Sequence, residues 1–146
     1  MRTGAGDRID THTGYMLVRL GVAAAALFDD ALIPLNLRGR HVKVMGHIHD
    51  GTPSQQDLCR LTGMDRTTMV AVVDDLERLG HARRERSATD RRKHVVILTA
   101  EGAAALTEAL RLLAEAQEEL LSPLPAAERD QFHDLVSRLF AARAGE

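Results

Sequence analysis

The chain has 146 residues, a net charge of −2 and 45% hydrophobic residues, which suits one domain with a real core. Aromatics make up 3% and there is no Trp, so Leu, Val and Ala must fill that core. No run of about 18 uncharged apolar residues is present to span a membrane. Residues 1–14 lack the apolar stretch of a signal peptide, and a single Cys excludes an internal disulfide, so the expected location is a reducing one, the cytoplasm.

Residues 1–11 read as mobile. Over 15–33 the spacing is helical: Met16, Leu20, Ala23, Leu27 and Ala31 share a stripe, with Leu17, Ala24 and Phe28 beside it. Pro34 restricts Ile33 and stops that helix. A turn over 36–39 leads to a second helix over 41–49, with Val42, Met45 and Ile48 inward and Asp50-Gly51 at its end. Ser54 with Asp57 three residues on is a capping signature, and Leu58 and Leu61 are the expected inward residues of the short helix that follows. Gly63 sits in the next turn. Asp65 caps a longer helix that ends at Leu79, before Gly80. A short helix, a Gly-containing turn and a longer helix make helix-turn-helix spacing.

On the longer helix Met69, Val72, Val73, Leu76 and Leu79 share one face, and Thr67, Val70, Ala71, Asp74 and Arg78 the other. Thr67 and Val70 suit contact with thymine methyls or a phosphate in a DNA groove. Arg66 lies in the first turn, where helix N–H groups also favour phosphate. Residues 82–86 and 94–98 read as strands joined by a loop over 87–93. A helix beginning at Thr99 runs to about Leu121, with Leu106, Leu110, Leu113, Gln117 and Leu120 on a stripe. Its 22 residues make about 33 Å, too long for so small a domain to cover. Ser122-Pro123-Leu124-Pro125 breaks it. A last helix reaches about Arg143, with Phe132, Leu135, Val136, Leu139 and Phe140 on one side. Leucine stripes of this kind at both ends of the chain point to a homodimer. Its two-fold axis would present two recognition helices to successive major grooves.

Charge location says more than net charge. Residues 78–94 hold Arg78, Arg83, Arg84, Arg86, Arg91, Arg92 and Lys93 against Glu85 and Asp90, while the remainder of the chain is acidic. A basic patch on an acidic body neutralises phosphates while the body avoids nonspecific sticking.

These residues resemble the MarR (multiple antibiotic resistance regulator) family of bacterial transcription regulators. The sharpest match is Asp-x-Arg, five residues, then Leu-Thr: Asp90-Arg91-Arg92, then Lys93 to Ile97, then Leu98-Thr99, continued by Glu101-Gly102. Thr67-Thr68-Met69-Val70, Asp74 and Leu76-Glu77 match the recognition-helix pattern, and Gly80 with Arg83-Arg84 its exit into the strand. The likeness spans nearly the whole chain. It implies a mainly α fold with a small β-hairpin: a winged helix-turn-helix over 36–99, flanked by dimerisation helices within 1–35 and 100–146. It also implies a homodimer that represses genes, with Arg92 reaching the minor groove and Asp90 holding that side chain or the loop in place. A guanidinium suits the concentrated negative potential of a narrow minor groove. Two positions depart from the pattern: Ala71 and Asp75 stand where many relatives place a basic residue, which shifts the expected affinity toward the wing. Gly39 and Pro125 replace better helix caps.

The expected DNA contacts are therefore Arg66, Thr67, Thr68 and Val70 at the major groove or its phosphates and Arg92 in the minor groove. Arg86, Arg91 and Lys93 would meet nearby phosphates, with added contacts from Gln55 and Gln56. Tyr15 and His41 are candidates for lining a small-molecule effector pocket, against the plainer reading of packing and a surface imidazole. His47-x-His49 does not chelate on one helix, since i and i+2 diverge, and the other histidines lack ligand spacing. Cys59 reads as a small core residue. Asp74 and Asp75, adjacent on a helix, do not converge on a substrate. No phosphate loop, nucleophile elbow or His-Glu-x-x-His motif is present, so no enzyme and no cofactor are expected. The competing readings are a winged-helix module that binds protein and a metal-sensing regulator.

Overall fold

Capping residues set the boundaries in the centre of the chain. Ser54 accepts from the Asp57 N–H at 3.1 Å while the Asp57 carboxylate accepts from the Ser54 N–H at 3.1 Å, which starts α3 (Gln55–Thr62). Asp65 accepts from the Thr68 N–H at 2.7 Å and starts α4 (Arg66–Arg78). Between them Gly63 takes φ +73°, a left-handed turn that a Cβ would strain. The Thr99 hydroxyl accepts from Gly102 N–H at 3.0 Å to start α5 (Ala100–Leu120).

In the computed structural model, which describes residues 8–144, these elements follow α1 (Thr13–Leu32) and α2 (Gly39–His49), and α6 (Ala126–Ala144) ends the chain. Strands β1 (Ala82–Arg86) and β2 (His94–Leu98) form one antiparallel hairpin, pairing Ala82 with Leu98, Arg84 with Val96 and Arg86 with His94. The Val96 N–H also bonds the Pro53 carbonyl at 2.8 Å, tying the hairpin to the segment before α3. The fold is mainly helical with one hairpin, a winged helix-turn-helix between N- and C-terminal helices. Among the described residues no helix is long and apolar enough to cross a membrane.

The core sits inside the helix-turn-helix. Val44, Met45, Leu58, Met69, Val72, Val73, Leu76 and Val96 are essentially fully buried, joined by Leu32 at the end of α1 and Ala109 of α5. At about 1.5–3 kcal/mol per large buried side chain, this cluster holds the unit together. α5 packs closely on the hairpin's base: a Cβ at Gly102 would lie 2.0 Å from the His81 carbonyl oxygen, so only glycine fits.

The outer helices are different. No residue of α6 is buried, and Leu135, Leu139 and Phe140 are 56%, 62% and 75% exposed. In α1 only Leu32 is buried, and Met16, Leu17 and Leu20 face solvent.

Several expectations need correction. Leu61 is exposed, not inward: α3 packs along its Leu58–Thr62 edge, where the Thr62 hydroxyl bonds the Leu58 carbonyl at 2.6 Å. On α5 the buried residues are Gly102, Leu106, Ala109 and Ala116, while Leu110 is exposed, in keeping with a leucine stripe that one protomer does not cover. Helix α2 starts at Gly39 rather than His41, capped from outside, since Asp29 of α1 accepts from the Gly39 N–H at 2.8 Å. Of the segment expected to be mobile, 1–7 lies outside the described residues, while Ile9–Thr11 forms a 3-10 turn beside an Arg8–Asp10 ion pair at 2.8 Å.

Candidate nucleic-acid interface

The two expected contact surfaces lie on adjoining elements. Helix α4 buries Met69, Val72, Val73 and Leu76, which turns Arg66, Thr67 and Ala71 to solvent and leaves Thr68 and Val70 half-buried. The Thr68 backbone N–H is already used by Asp65; that bond is the main cause holding the Asp65 carboxyl below its ordinary range. A helix start capped this way is charged at low cost and points its remaining N–H groups outward.

The loop over 87–93 is built by its own polar side chains. Ser87 N–H bonds the Lys93 carbonyl at 2.8 Å, Lys93 N–H bonds the Asp90 carbonyl at 3.0 Å, and Asp90 Oδ1 accepts from the Arg92 N–H at 3.1 Å. Asp90 therefore holds the loop backbone at Arg92 and not the guanidinium. Arg86, Arg91, Arg92 and Lys93 are all exposed, and none forms an ion pair among the described residues.

The other cations of the basic stretch are spent internally. Arg78 pairs with Asp75 at 2.7 Å and Arg83 with Glu85. Arg84 reaches two helices: its Nη2 meets Asp74 at 2.8 Å, its Nη1 meets Glu77, and its Nε donates to Gln55 Oε1 at 2.7 Å. Its backbone N–H also donates to Glu77 Oε1 at 2.9 Å. The outward cationic set is thus Arg86 at the end of β1, Arg91, Arg92 and Lys93 of the loop, and Arg66, a smaller group than the count over 78–94 suggests. Strand alternation was the signal for Arg84, since Ala82, two residues earlier, points into the core. Gln55, expected as a phosphate contact, has its oxygen engaged by Arg84 and keeps its NH₂ group. Gln55, Gln56, Cys59, Arg66, Arg84 and His94 line one groove between α3, the start of α4 and β2.

His41 is buried, 4% exposed, and is not a surface imidazole. Its Nδ1 accepts from the Arg38 N–H at 2.9 Å and its Nε2 lies 3.0 Å from Asp75 Oδ2. Because Nδ1 must accept, Nε2 carries the proton and donates to Asp75. That bond, followed by the one from Arg78, holds the Asp75 carboxyl below its ordinary range. Asp29, Gly39, His41 and Asp75 thus form a polar joint from α1 through α2 to the recognition helix. An open cleft of about 910 Å³ lies along this joint, lined by Asp29, Ile33, Arg38, Arg40, His41 and Asp75 among others. Tyr15 does not line that cleft; it sits near the start of α1, where its hydroxyl accepts from Arg19 Nη1 at 2.9 Å. Sequence reasoning missed the His41–Asp75 bond because the residues are 34 positions apart. Cys59 is half-buried, packed at the edge of the core. Among the described residues, no three His, Cys, Asp or Glu side chains come together as a metal site.

A model of the MarR family matches residues 35–93, from just after α1 to the last residue of the hairpin loop. Over the wider chain, a probable transcriptional regulator from Pseudomonas aeruginosa is 31% identical, with a TM-score of 0.78, covering 90% of this chain and 99% of its own. This chain belongs to the MarR family. Two other solved structures share its fold at lower identity. A MarR mutant from E. coli, complexed with operator DNA, is 23% identical with a TM-score of 0.73, covering 86% of this chain and 91% of its own. CouR from Rhodococcus jostii RHA1, bound to p-coumaroyl-CoA, is 24% identical with a TM-score of 0.77, covering 91% and 94%. As a MarR-family regulator, the chain carries the family's winged helix-turn-helix over the same residues that the cationic loop and α4 occupy.

Proposed function

We propose that this MarR-family chain is a sequence-specific, duplex-DNA-binding repressor that acts as a homodimer. Residues 36–99 form its DNA-binding region, and 1–35 with 100–146 its dimerisation region. The observation that carries the reading is the hairpin end of Arg86 (the last residue of β1) with Arg91, Arg92 and Lys93 of the loop, exposed and free of carboxylate partners among the described residues, beside the exposed side of α4. Arg92 enters the minor groove; Arg86, Arg91 and Lys93 meet flanking phosphates. Arg66, Thr67, Thr68 and Val70 meet the major groove or its phosphates, and Gln55 and Gln56 contribute from α3. The E. coli relative solved with operator DNA supports the same use of the fold.

The dimer reading is supported by the apolar side of α6 and the N-terminal half of α1, which the described residues of one protomer leave exposed. Contiguous exposed apolar surface of this kind marks an association site. A small-molecule effector in the cleft beside His41 would release DNA only through a difference in affinity between two arrangements of the dimer. The ligand-bound relative supports a site of that general type.

The test is a salt titration of binding to operator and random duplexes, with the oligomeric state read by sedimentation. Affinity is expected to fall steeply with salt, with a log–log slope of about −0.9 per neutralised phosphate, and the protein to sediment as a dimer. Salt-insensitive or absent duplex binding would favour the protein-interaction reading. A monomer at micromolar concentration would remove the two-fold arrangement.

A further inference from the structure

Arg84 is half-buried at the wall of the groove between α3, α4 and β2, and its guanidinium meets three side chains from two helices. It is the one cation of the basic stretch with two carboxylate partners. We propose that Arg84 is a positioning residue for DNA binding: it locks the wing hairpin to α3 and α4 and turns the Gln55 amide so that its N–H donors meet a backbone phosphate. This rests on the DNA-binding reading above.

The chemistry follows from the donor inventory. A guanidinium only donates, so the Gln55 atom 2.7 Å from Arg84 Nε must be the carbonyl oxygen. Fixing that oxygen leaves the NH₂ group as the amide's free end. Its surroundings are the groove shared with Gln56, Arg66 and His94, a set of donors suited to a phosphate oxygen. On the other side, Nη1 and Nη2 hold Glu77 and Asp74, one helical turn apart on α4. The Arg84 backbone N–H adds a second bond to Glu77, so both main chain and side chain of β1 are fastened to the recognition helix.

Two consequences follow for binding. The wing and α4 move as one body, so the distance between the Arg92 tip and the Thr67 surface is fixed before DNA arrives; pre-organisation of this kind raises affinity without a new contact. The two carboxylates of Asp74 and Glu77, both on the DNA-facing helix, are partly offset by one cation that needs no phosphate of its own. A planar fork is required for this. A lysine ammonium carries the same charge on one point and cannot reach Gln55, Asp74 and Glu77 together.

Lysine substitution therefore separates charge from shape. Duplex affinity would be measured across a salt series for the parent, Arg84→Lys, Arg92→Ala, Gln55→Leu and the pairwise doubles, with folding checked by circular dichroism and melting. If Arg84 positions, Arg84→Lys lowers affinity at least about fivefold despite keeping its charge. Adding Gln55→Leu to it then costs little more. The Arg92→Ala penalty also shrinks by at least about threefold in the Arg84→Lys background, because an unfastened wing no longer presents Arg92 well. Parent-like affinity of Arg84→Lys, or penalties that simply multiply, would overturn the proposal and make Arg84 one more charge or a purely structural residue. Should Arg84→Lys fail to fold, the cycle between Gln55→Leu and Arg92→Ala is read the same way, with coupling expected and independence overturning. If the parent itself binds no duplex, the DNA-binding reading falls; if the parent binds and only these couplings are missing, Arg84's role alone falls.

Discussion

The strand that enters the hairpin and the loop at its tip carry the same kind of residue in opposite states. On β1, Arg83 and Arg84 are held by Glu85, Asp74, Glu77 and Gln55, and Arg78 just before them by Asp75. A few residues on, Arg91, Arg92 and Lys93 stand in solvent on a loop whose one acid, Asp90, is occupied with backbone. The available acids separate them: Arg84 meets Asp74 and Glu77 of α4 and Arg83 meets Glu85 of its own strand, whereas Arg86 at the end of β1 and the loop cations have no carboxylate partner among the described residues. A count of charges along the chain cannot tell a paired arginine from a free one, and only free ones release counterions from DNA.

That contrast can be broken or sharpened by substitution. The largest effect is expected at the tip. Arg92→Ala should weaken binding to all duplexes by about ten- to a hundredfold and reduce the salt slope by about one unit; unchanged affinity at moderate salt would show that the tip does not touch DNA. Arg91→Ala and Lys93→Ala should each weaken binding by about three- to tenfold in the same titration, as single phosphate contacts do. Arg83→Ala, on the paired side, should change affinity by no more than about twofold and leave the slope unaltered, since exposed pairs of this kind contribute little.

Asp75→Asn should act in the opposite direction. It keeps an oxygen for the His41 Nε2–H but removes a negative charge from α4, so random-duplex affinity should rise about twofold. A fall instead would mean that the charged joint to His41 sets the helix angle. The same carboxyl ties stability to pH. Its folded pKa is depressed by the His41 and Arg78 bonds, so its contribution is present above the ordinary value of 3.8 and is lost as pH falls below it.

The smallest effect is expected at His81, whose Nδ1 is buried without a partner and whose pKa is lowered, chiefly by desolvation, with Glu101 opposing. A lowered histidine is protonated more readily in the unfolded chain, so stability falls as pH drops through and below 6.5. His81→Leu should flatten the part of the melting-temperature decline between pH 6.5 and 5 that this group causes; an identical decline in the variant would assign it to other histidines.

Much of this architecture was legible in residue order. Ser54, Asp65 and Thr99 announce their helices because a cap acts within three residues of itself, and the β-branched run 94–98 reads as a strand because alternation is local. Leu61 was misplaced because helical periodicity fixes which residues share a side, while the neighbouring helices decide which side is covered. The bonds of His41 and Arg84 could not be seen in the sequence for a related reason. Each has its decisive partner on another helix: Asp75, 34 residues away, for His41, and Gln55, 29 residues away, for Arg84.

By itself, then, the order of residues determined where the locally capped helices start, that a hairpin follows the fourth helix, and that apolar stripes at both ends exceed what one small unit covers. Those properties depend on neighbours within a few positions, where backbone hydrogen bonding and side-chain spacing act. Only the tertiary structure decided which arginines are free, which oxygen of Gln55 is held, and that a buried imidazole joins the second helix to the fourth. Hydrogen bonds and ion pairs act over about 3 Å in space, whatever the separation along the chain.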